Sequence, residues 1–434
     1  MNDPARCAER RAALTRRMDA GIAIIPTAPE RIRSRDSDYL YRFDSSFYYL
    51  CGFPEPDAVL VLVAGAEPKS ILFCRDKNPE RELWDGFRYG PEAAKEAFRI
   101  DETASIATLD EAMPKLIANQ RALFYSPGAD PGWDARVMNW LNQVRALSRT
   151  GVSAPNEIRD ARAILDEMRL FKDEIELATM RRAAAISAVA HQRAMRATRP
   201  GRNEFEIEAE LLYEFRRAGS QFPAYWPIVA GGRNACVLHY RDNHAPLAKG
   251  DLLLIDAGCE LDGYAADITR TFPVDGRFST AQREIYELVL AAQAEAIAAV
   301  VPGRSWNDPH DAAVQTLVRG FVALGLCEGP VERVIETEDY KRFYMHRTGH
   351  WLGLDVHDVG EYKLEGNWRK LEAGMTLTVE PGCYIRQADN VPHAFWNVGV
   401  RIEDDVLVNA SGCEILTAAT PKSVSDIETL VGSG

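Results

Sequence analysis

The stretch LLLIDAGCELDGYAADITRTFP (252–273) decides the fold of the second half of the chain. An apolar run ends there in Asp256, and Asp267 follows shortly after it. Part of the pattern recurs in TLTVEPGCYI (376–385), where Glu380 takes the position of Asp256. In both copies the acid is followed by one residue and then by Gly-Cys. The similarity indicates that two halves of this region are related.

A fourth acid, Glu403, lies in GVRIEDDVLV (399–408) and matches Asp267 in the order of the motifs. Helical stretches open after Pro-Gly-Arg at 200–202 and again after Pro-Gly-Arg at 302–304. Each half is therefore expected to contain helices followed by two strands, with one carboxylate inside each strand. Such a duplication would bring two half-sites face to face about a pseudo-two-fold axis; chance similarity is the alternative.

Carboxylates inside apolar strands need a physical explanation. Asp256 follows LLLI, Glu380 follows LTV, and Glu403 lies between Ile402 and an apolar run. A buried carboxylate is costly unless it is paired, hydrogen-bonded or bound to a metal. A structural ion pair would explain one such residue, but several in symmetric positions favour metal coordination.

Histidines are scarce and clustered. Three of the eight lie within HRTGHWLGLDVHD (346–358), as His346, His350 and His357. Position 347 is Arg, so the motif is not the HExxH of helical zinc proteases. His239 precedes the first carboxylate strand. One imidazole with four carboxylates is a hard, oxygen-rich donor set that suits manganese, cobalt or iron(II), and zinc less specifically.

Five donors with bridging carboxylates suit two metal ions about 3.5–4 Å apart. A pair of this kind lowers the pKa of a shared water, generates hydroxide and polarises a carbonyl, which is the chemistry of amide or ester hydrolysis. His239 and His357 are candidate donors to the tetrahedral intermediate, and His346 a substrate-binding or orienting residue. Arg401 alternates with Glu403 and is a candidate partner of a ligand carboxylate. The chain contains no GxSxG motif for a serine nucleophile.

Length and charge restrict the class of protein. A single core rarely exceeds about 250–300 residues, so 434 residues predict two domains. The net charge of −13 argues against nucleic acid or an anionic membrane as the main partner. A basic run at 31–35 is interpreted as a solvated loop. No segment approaches the ~20 apolar residues of a membrane span, and the N-terminus has no signal-like apolar region.

The eight cysteines form no CxxC pair, and several lie in apolar runs. Cysteines of this kind are usually buried thiols rather than members of a disulfide framework. The sequence therefore predicts a reducing, cytoplasmic location.

The first part of the chain is predicted to be an α/β domain with a parallel or mixed sheet. Its apolar strands are expected at 21–26, 57–65, 70–76 and 122–128. The segment 156–199 is rich in Ala, Glu, Arg, Leu and Met and is predicted to be helical. The domain boundary is placed at residues 170–172, which gives domains 1–172 and 173–434.

Several motifs occur together in a recognisable order: VLHY (237–240), LIDAGCELDGYAADITRTFP (254–273), HWLGLDVHDVG (350–360), LTVEPGCYI (377–385) and GVRIEDD (399–405). With them the chain resembles the bacterial aminopeptidase P type of the pita-bread metallopeptidase superfamily. The resemblance includes residues 35–62 and so covers essentially the whole chain. It implies an α/β N-terminal domain, an α+β pita-bread catalytic domain, and removal of the residue in front of a proline.

The resemblance also implies roles for individual residues. The metal ligands would be Asp256, Asp267, His350, Glu380 and Glu403. Asp267 and Glu403 would bridge two divalent ions, with manganese the expected metal, and Glu380 would shuttle the proton of the attacking water. His239 and His357 would line the scissile-bond pocket, His346 would lie near the substrate and Tyr225 near the metals. Asp36 would approach Arg401.

Members of this family often form dimers or tetramers, so a homo-oligomer is expected, with Trp84 as a candidate contact. Arg347 departs from the small or neutral residues of close relatives. Three alternatives stay open: a prolidase specific for Xaa-Pro dipeptides, a non-enzymatic pita-bread binding module, and a metal-free hydrolase such as a creatinase. The five filled ligand positions disfavour the last two, whereas the prolidase shares them.

Overall fold

The computed structural model describes residues 3–433 of the chain. The chain divides into two compact units, Met1–Arg169 and Leu170–Gly434. Within the described residues, no helix combines the length and the apolar character that a membrane span requires. All eight cysteines are free thiols, and all but Cys413 are buried.

A six-stranded mixed sheet forms the centre of the N-terminal unit. The strands of this unit are β1 (Gly21–Pro26), β2 (Ile32–Ser34), β3 (Ser37–Asp38), β4 (Val59–Ala64), β5 (Lys69–Cys74), β6 (Glu102–Ser105), β7 (Ala122–Tyr125) and β8 (Glu157–Asp160). The sheet order is β6-β5-β4-β1-β7-β8, and β2 and β3 form a separate hairpin. β4 is antiparallel to β1 and β5. The other pairs are parallel: β6 with β5, β7 with β1, and β8 with β7. The predicted mixed sheet is confirmed.

Helices cover this sheet and close its core. They are α1 (Pro4–Met18), α2 (Ser45–Cys51), α3 (Pro79–Asp85), α4 (Gly90–Ala97), α5 (Leu109–Ile117), α6 (Pro131–Ala146) and α7 (Arg162–Leu170). Leu109, Met113 and Ile117 recur at helical spacing and are fully buried against the sheet. Trp140 of α6 is buried beside them, and its indole nitrogen donates to Asp110 Oδ1 at 2.8 Å.

The continuous helix predicted over 156–199 is wrong at its beginning. Residues 157–160 form β8, because pairing with β7 overrides a composition that favours helix. The helical part is also broken between α7 and α8 (Glu174–Ala197). Asp173 accepts hydrogen bonds from the backbone nitrogens of Ile175 and Glu176 and so begins a new helix.

The C-terminal unit places long helices around short strands. Its further helices are α9 (Glu204–Arg217), α10 (Thr280–Ala298), α11 (Asp308–Ala323), α12 (Val331–Glu336) and α13 (Val424–Leu430). Its strands are β9 (Phe222–Pro223), β10 (Ile228–Gly231), β11 (Leu252–Asp256), β12 (Cys259–Leu261), β13 (Tyr264–Ala265), β14 (Thr269–Pro273), β15 (Lys363–Leu364), β16 (Asn367–Trp368), β17 (Thr376–Val379), β18 (Gly382–Ile385), β19 (Val398–Arg401), β20 (Asp404–Val408) and β21 (Cys413–Ile415). The described part of the chain also contains five short 3-10 turns, at Ile106–Thr108, Ser148–Thr150, Gly232–Cys236, Asp339–Arg342 and His393–Phe395.

Strand pairing repeats between the two halves of this unit. In the first half β11 pairs antiparallel with β14, and β12 pairs with β13. In the second half β17 pairs antiparallel with β20, and β18 pairs with β19. Two residues separate β11 from β12, and two separate β17 from β18. The repeated order agrees with the duplication that the sequence predicts.

Close backbone approaches bring these strands together. A Cβ on Gly258, between β11 and β12, would lie 1.7 Å from the carbonyl oxygen of Ala266. A Cβ on Gly349 would lie 2.0 Å from the carbonyl oxygen of Thr378 in β17. Both distances are far below van der Waals contact, so only glycine permits the observed packing at these two points.

A buried ion pair joins the two halves. Arg270 of β14 donates to Asp404 Oδ1 of β20 at 2.7 Å, and both side chains are completely buried. The same guanidinium donates to the carbonyl oxygens of Thr420 and Pro421, each at 3.0 Å. Asp404 also accepts from Lys422 Nζ at 2.6 Å. A pair with its remaining atoms satisfied in this way holds β14 and β20 in fixed register.

Replacing Arg270 with Met should strongly destabilise the chain, because it leaves the buried Asp404 without its main partner. The expected loss in free energy of unfolding is about 3–5 kcal/mol, measured by urea denaturation. Arg277→Met is the matched control, because Arg277 pairs with Glu428 in an exposed bridge worth about 1 kcal/mol or less. Equal losses in the two variants would contradict a stabilising role for the buried pair.

Candidate active site

The four acids of the repeated motifs lie where strands end. Asp256 is the last residue of β11, and Glu380 directly follows β17. Asp267 precedes β14 by two residues, and Glu403 lies between β19 and β20. All four belong to the C-terminal unit and line the same cavity.

The prediction that Asp267 and Glu403 lie inside strands is wrong. Both occupy short breaks, because the chain changes partner strands at these points. β13 pairs with β12 whereas β14 pairs with β11, and β19 pairs with β18 whereas β20 pairs with β17. A residue in such a crossover is released from the alternation of a regular strand, so its side chain can point into the site.

The predicted metal ligands come together in space. One donor atom each from Asp267, His350 and Glu403 lies within 4.8 Å of the others. His350 Nε2 is 3.5 Å from Asp267 Oδ2 and 3.7 Å from Glu380 Oε1. The Tyr225 hydroxyl donates to Asp256 at 2.5 Å and also to Asp267, which joins the fifth residue to the group.

The chemistry of this donor set fits divalent cations. Asp256, Asp267 and Glu403 are buried, and so many carboxylates in one small volume repel each other. A divalent cation relieves that repulsion, and carboxylate oxygens with one imidazole suit the harder metals of the first row. The cluster is therefore a site that can hold metal ions.

The pKa values of Glu403, Glu380 and His350 reflect the same crowding of carboxylates. Burial raises the pKa of Glu403 well above its usual range, and the neighbouring Asp267 and Glu380 raise it further. Burial also raises the pKa of Glu380 to about 7, although His350 and Arg401 oppose the shift. For His350, burial lowers the pKa, but the carboxylates of Asp267 and Glu380 outweigh it and raise the value to about 9. The protein alone therefore holds protons that a cation would displace.

Hydrogen bonds orient the donors. Thr269 Oγ1 donates to Glu403 Oε2 at 2.6 Å. Nδ1 of His350 lies 2.9 Å from the carbonyl oxygen of Trp351. A carbonyl can only accept, so Nδ1 carries the proton there and Nε2 faces the carboxylates.

Arg401 lies directly behind the acids. Its Nη2 donates to Asp256 Oδ2 at 2.5 Å, and its Nη1 donates to the Tyr384 hydroxyl at 3.0 Å. His346 Nε2 is 2.8 Å from the same hydroxyl. Burial, and then the charge of Arg401, lower the pKa of His346 to about 4, so this imidazole is neutral at pH 7.

The other two histidines lie at the accessible side of the cavity. The ring of His357 lies 4.2 Å from that of His350, measured between centroids. Burial and then the neighbouring His350 lower the pKa of His357. His239 is exposed and lines the same cavity. Both can donate a hydrogen bond to a ligand held above the acids.

The cavity measures about 710 Å³, which is ample for a short peptide. Trp226, Ile228, Leu238 and Val356 supply an apolar wall. The floor consists of the acids and histidines, so the site combines an apolar surface with a densely charged centre.

Comparisons with known proteins identify the family of the chain. Residues 178–410 match Metallopeptidase family M24, and residues 7–125 match the Aminopeptidase P, N-terminal domain. The chain belongs to metallopeptidase family M24. Its pita-bread catalytic fold and the predicted family membership are thereby confirmed.

Several relatives of this M24 metallopeptidase cover nearly the whole chain. The Xaa-Pro aminopeptidase of Haemophilus influenzae is 45% identical over 98% of this chain and 96% of its own length. The structure of aminopeptidase PepP from Pseudomonas aeruginosa is 51% identical, with a TM-score of 0.97 over 99% of this chain and 98% of that one. A zinc-substituted aminopeptidase P from Escherichia coli, in complex with product, is 42% identical with a TM-score of 0.96, covering 99% of this chain and 98% of that one.

Sequence reasoning missed two supporting residues of the site. Tyr384 bridges Arg401 and His346, and Thr269 holds Glu403. Each lies within a motif already singled out, and for Tyr384 the available signal was a hydroxyl in the otherwise apolar strand β18. Asp36 lies in an exposed turn of the N-terminal unit, and its expected approach to Arg401 stays a prediction.

His191 of α8 contacts the backbone just after β11, the strand that ends in Asp256. Its Nε2 lies 2.8 Å from the carbonyl oxygen of Ala257, the residue after Asp256, and its side chain is fully buried. Burial lowers the pKa of His191 to about 4, against a smaller opposing effect of that carbonyl. The folded protein therefore requires the neutral imidazole.

This requirement predicts acid sensitivity. Below about pH 6.5 the unfolded chain protonates His191 while the folded chain does not, so stability falls as the pH drops towards 4. The contribution reaches about 2 kcal/mol at pH 5, and His191→Gln should remove it from the pH dependence of urea unfolding. The exposed His244→Gln is the matched control. A His191→Gln variant with an unchanged acid slope would disprove the prediction.

Proposed function

We propose that the chain is a metal-dependent Xaa-Pro aminopeptidase, which hydrolyses the bond between an N-terminal residue and a following proline. The observation that carries the proposal is the cluster of Asp256, Asp267, His350, Glu380 and Glu403 at the floor of a peptide-sized cavity. Membership of family M24 and the similarity to named Xaa-Pro aminopeptidases support it.

We further propose that the five residues ligate two divalent ions, with Asp267 and Glu403 as bridges. When bound, the ions would supply a hydroxide nucleophile and polarise the scissile carbonyl. Manganese is the proposed metal, because four carboxylates with one imidazole favour a hard cation. Residues 1–172 would form the N-terminal domain and 173–434 the catalytic domain.

Glu380 is the proposed proton shuttle. The nitrogen of a peptide bond to proline carries no hydrogen, so it must gain a proton before it can leave as an amine. Glu380 is half-buried at the floor of the cavity, with its Oε1 3.7 Å from His350 Nε2. A carboxylate in this position would accept the proton of the attacking water and return it to the leaving nitrogen.

His357 and His239 are the proposed donors to the oxygen that becomes negative during attack. Both line the accessible side of the cavity above the acids. His346 would act through Tyr384, which it contacts at 2.8 Å. Tyr225 and Arg401 would fix the orientation of Asp256 through the hydrogen bonds that each donates to it.

A cytoplasmic homo-oligomer is also proposed. Eight free thiols suit a reducing compartment. Trp84 is 84% exposed within the chain, and a tryptophan with so much apolar surface in contact with water is available to a neighbouring copy.

The proposal is tested with the manganese-loaded protein on an Xaa-Pro-Yaa tripeptide and on the matching Xaa-Pro dipeptide. We expect release of the first residue from the tripeptide, and loss of that release when a chelator removes the metal. Cleavage of the dipeptide alone would make the chain a prolidase. Failure on both peptides with every divalent metal tried would favour a non-enzymatic role.

Separate variants distinguish chemistry from metal binding. His357→Ala should lower kcat by about 10²-fold or more while bound metal is retained, because a donor to the transition state is lost. Glu380→Ala should abolish turnover, because it removes a ligand and the proton shuttle together. The bound metal of each variant is measured together with its kinetics. Loss of metal in His357→Ala would make His357 a ligand. Near-normal activity in Glu380→Ala would contradict the proposed role of Glu380 as ligand and proton shuttle.

A further inference from the structure

Two arginines line the catalytic cavity without belonging to the acid and histidine cluster. Arg241 follows His239 by two residues, and Arg347 directly follows His346. Both side chains are exposed, whereas the acids at the floor are buried or, for Glu380, half-buried. The two cations therefore lie at the open edge of the cavity, and together they are called the cationic rim below.

The charge of the rim is not neutralised by the protein. Among residues 3–433, no carboxylate forms an ion pair with either guanidinium. Arg347 instead donates to the side-chain oxygen of Asn307, and its guanidinium carbon lies 5.0 Å from the centre of the Trp368 ring. Neutral partners orient this guanidinium and leave its charge available to a ligand.

The surroundings of Arg347 are also positively charged. Lys363 Nζ lies 4.3 Å from the centre of the same Trp368 ring, which adds a further cation beside Arg347. Burial, and then the charge of Arg347, lower the pKa of His310 to about 3. The acidic sequence neighbours Glu361 and Glu365 are exposed and form no ion pair with the rim within the described part of the chain.

The direction of the substrate follows from the position of the bond that is cut. An aminopeptidase removes one residue, so only that residue lies on the amino side of the scissile bond at the floor, and the chain beyond proline must leave through the open edge. We propose that Arg241 and Arg347 recognise a carboxylate on the residue that follows proline, and so make the enzyme prefer acidic peptides. The carboxylate comes either from an acidic side chain or from the C-terminus of a tripeptide. This inference rests on the proposed aminopeptidase function.

The size of the effect follows from the exposure of the two side chains. Exposed ion pairs change an equilibrium by about 1.5- to fivefold each, so the two arginines together should shift kcat/KM by about two- to twenty-fivefold. Salt screens such pairs, so the preference should shrink at about 0.5 M NaCl. A preference insensitive to salt would point to shape rather than charge and would overturn the proposal.

The test uses the manganese-loaded full chain and the peptide amides Ala-Pro-Glu, Ala-Pro-Gln and Ala-Pro-Lys. We expect kcat/KM to fall in that order. The free acid of Ala-Pro-Gln, compared with its amide, reports recognition of a C-terminal carboxylate separately from that of a side chain.

Three variants test whether Arg241 and Arg347 cause the preference for an acidic residue after proline. Arg241→Gln and Arg347→Gln should each reduce the Glu-to-Gln ratio of kcat/KM, whereas Arg319→Gln, which alters an exposed arginine of α11 outside the cavity, should leave the ratio unchanged. Equal cleavage of all amides by the wild type would overturn the proposed recognition of a carboxylate by the cationic rim, but not the aminopeptidase function. A Glu-to-Gln ratio of kcat/KM that persists in both rim variants would do the same. No cleavage of any peptide would overturn the proposed aminopeptidase function, and with it the proposed role of the cationic rim.

Discussion

The crowding of buried carboxylates at one point is the constraint on which the rest of the C-terminal unit depends. Asp256, Asp267, Glu380 and Glu403 repel each other in a region that water screens poorly. Burial and this repulsion raise the pKa of Glu403 well above its usual range and that of Glu380 to about 7. The fold tolerates the arrangement because Tyr225, Thr269 and Arg401 donate to the acids.

Strand crossovers make this crowding possible. Each half of the duplication sends one acid from a strand end and one from the segment where the chain changes partners. Backbone hydrogen bonds join the halves at the same place, since the Glu403 nitrogen donates to the Thr269 carbonyl oxygen at 3.0 Å. The buried Arg270–Asp404 pair lies one residue beyond both. These contacts fix the position of Glu403 relative to β14.

Much of this arrangement could be predicted from the sequence, for a physical reason. A carboxylate after an apolar run is rare and costly, so Asp256 and Glu380 were recognisable in the sequence, and their repetition predicted the duplication. The break at Asp267 and at Glu403 could not be predicted, because it results from a change of partner strand, which is a tertiary event. The helix predicted over residues 157–160 failed for the same reason, since pairing with β7 overrides local preference.

Residues that act through one polar atom were the hardest to predict. Tyr384 and Thr269 resemble ordinary strand residues until their hydroxyls are found beside Arg401 and Glu403. Arg347 stood out in the sequence only as an unusual residue between two histidines, and the fold is what places it at the edge of the cavity. Sequence patterns therefore identified the charged centre of the site better than the groups that surround it.

The most direct measurement is a crystal structure of the manganese-loaded protein with anomalous scattering recorded from the metal. We expect two anomalous peaks about 3.5–4 Å apart, between Asp256, Asp267, His350, Glu380 and Glu403. Both peaks should contact Asp267 and Glu403. A single peak, or peaks bound by other residues, would show that these five side chains do not form a dinuclear site.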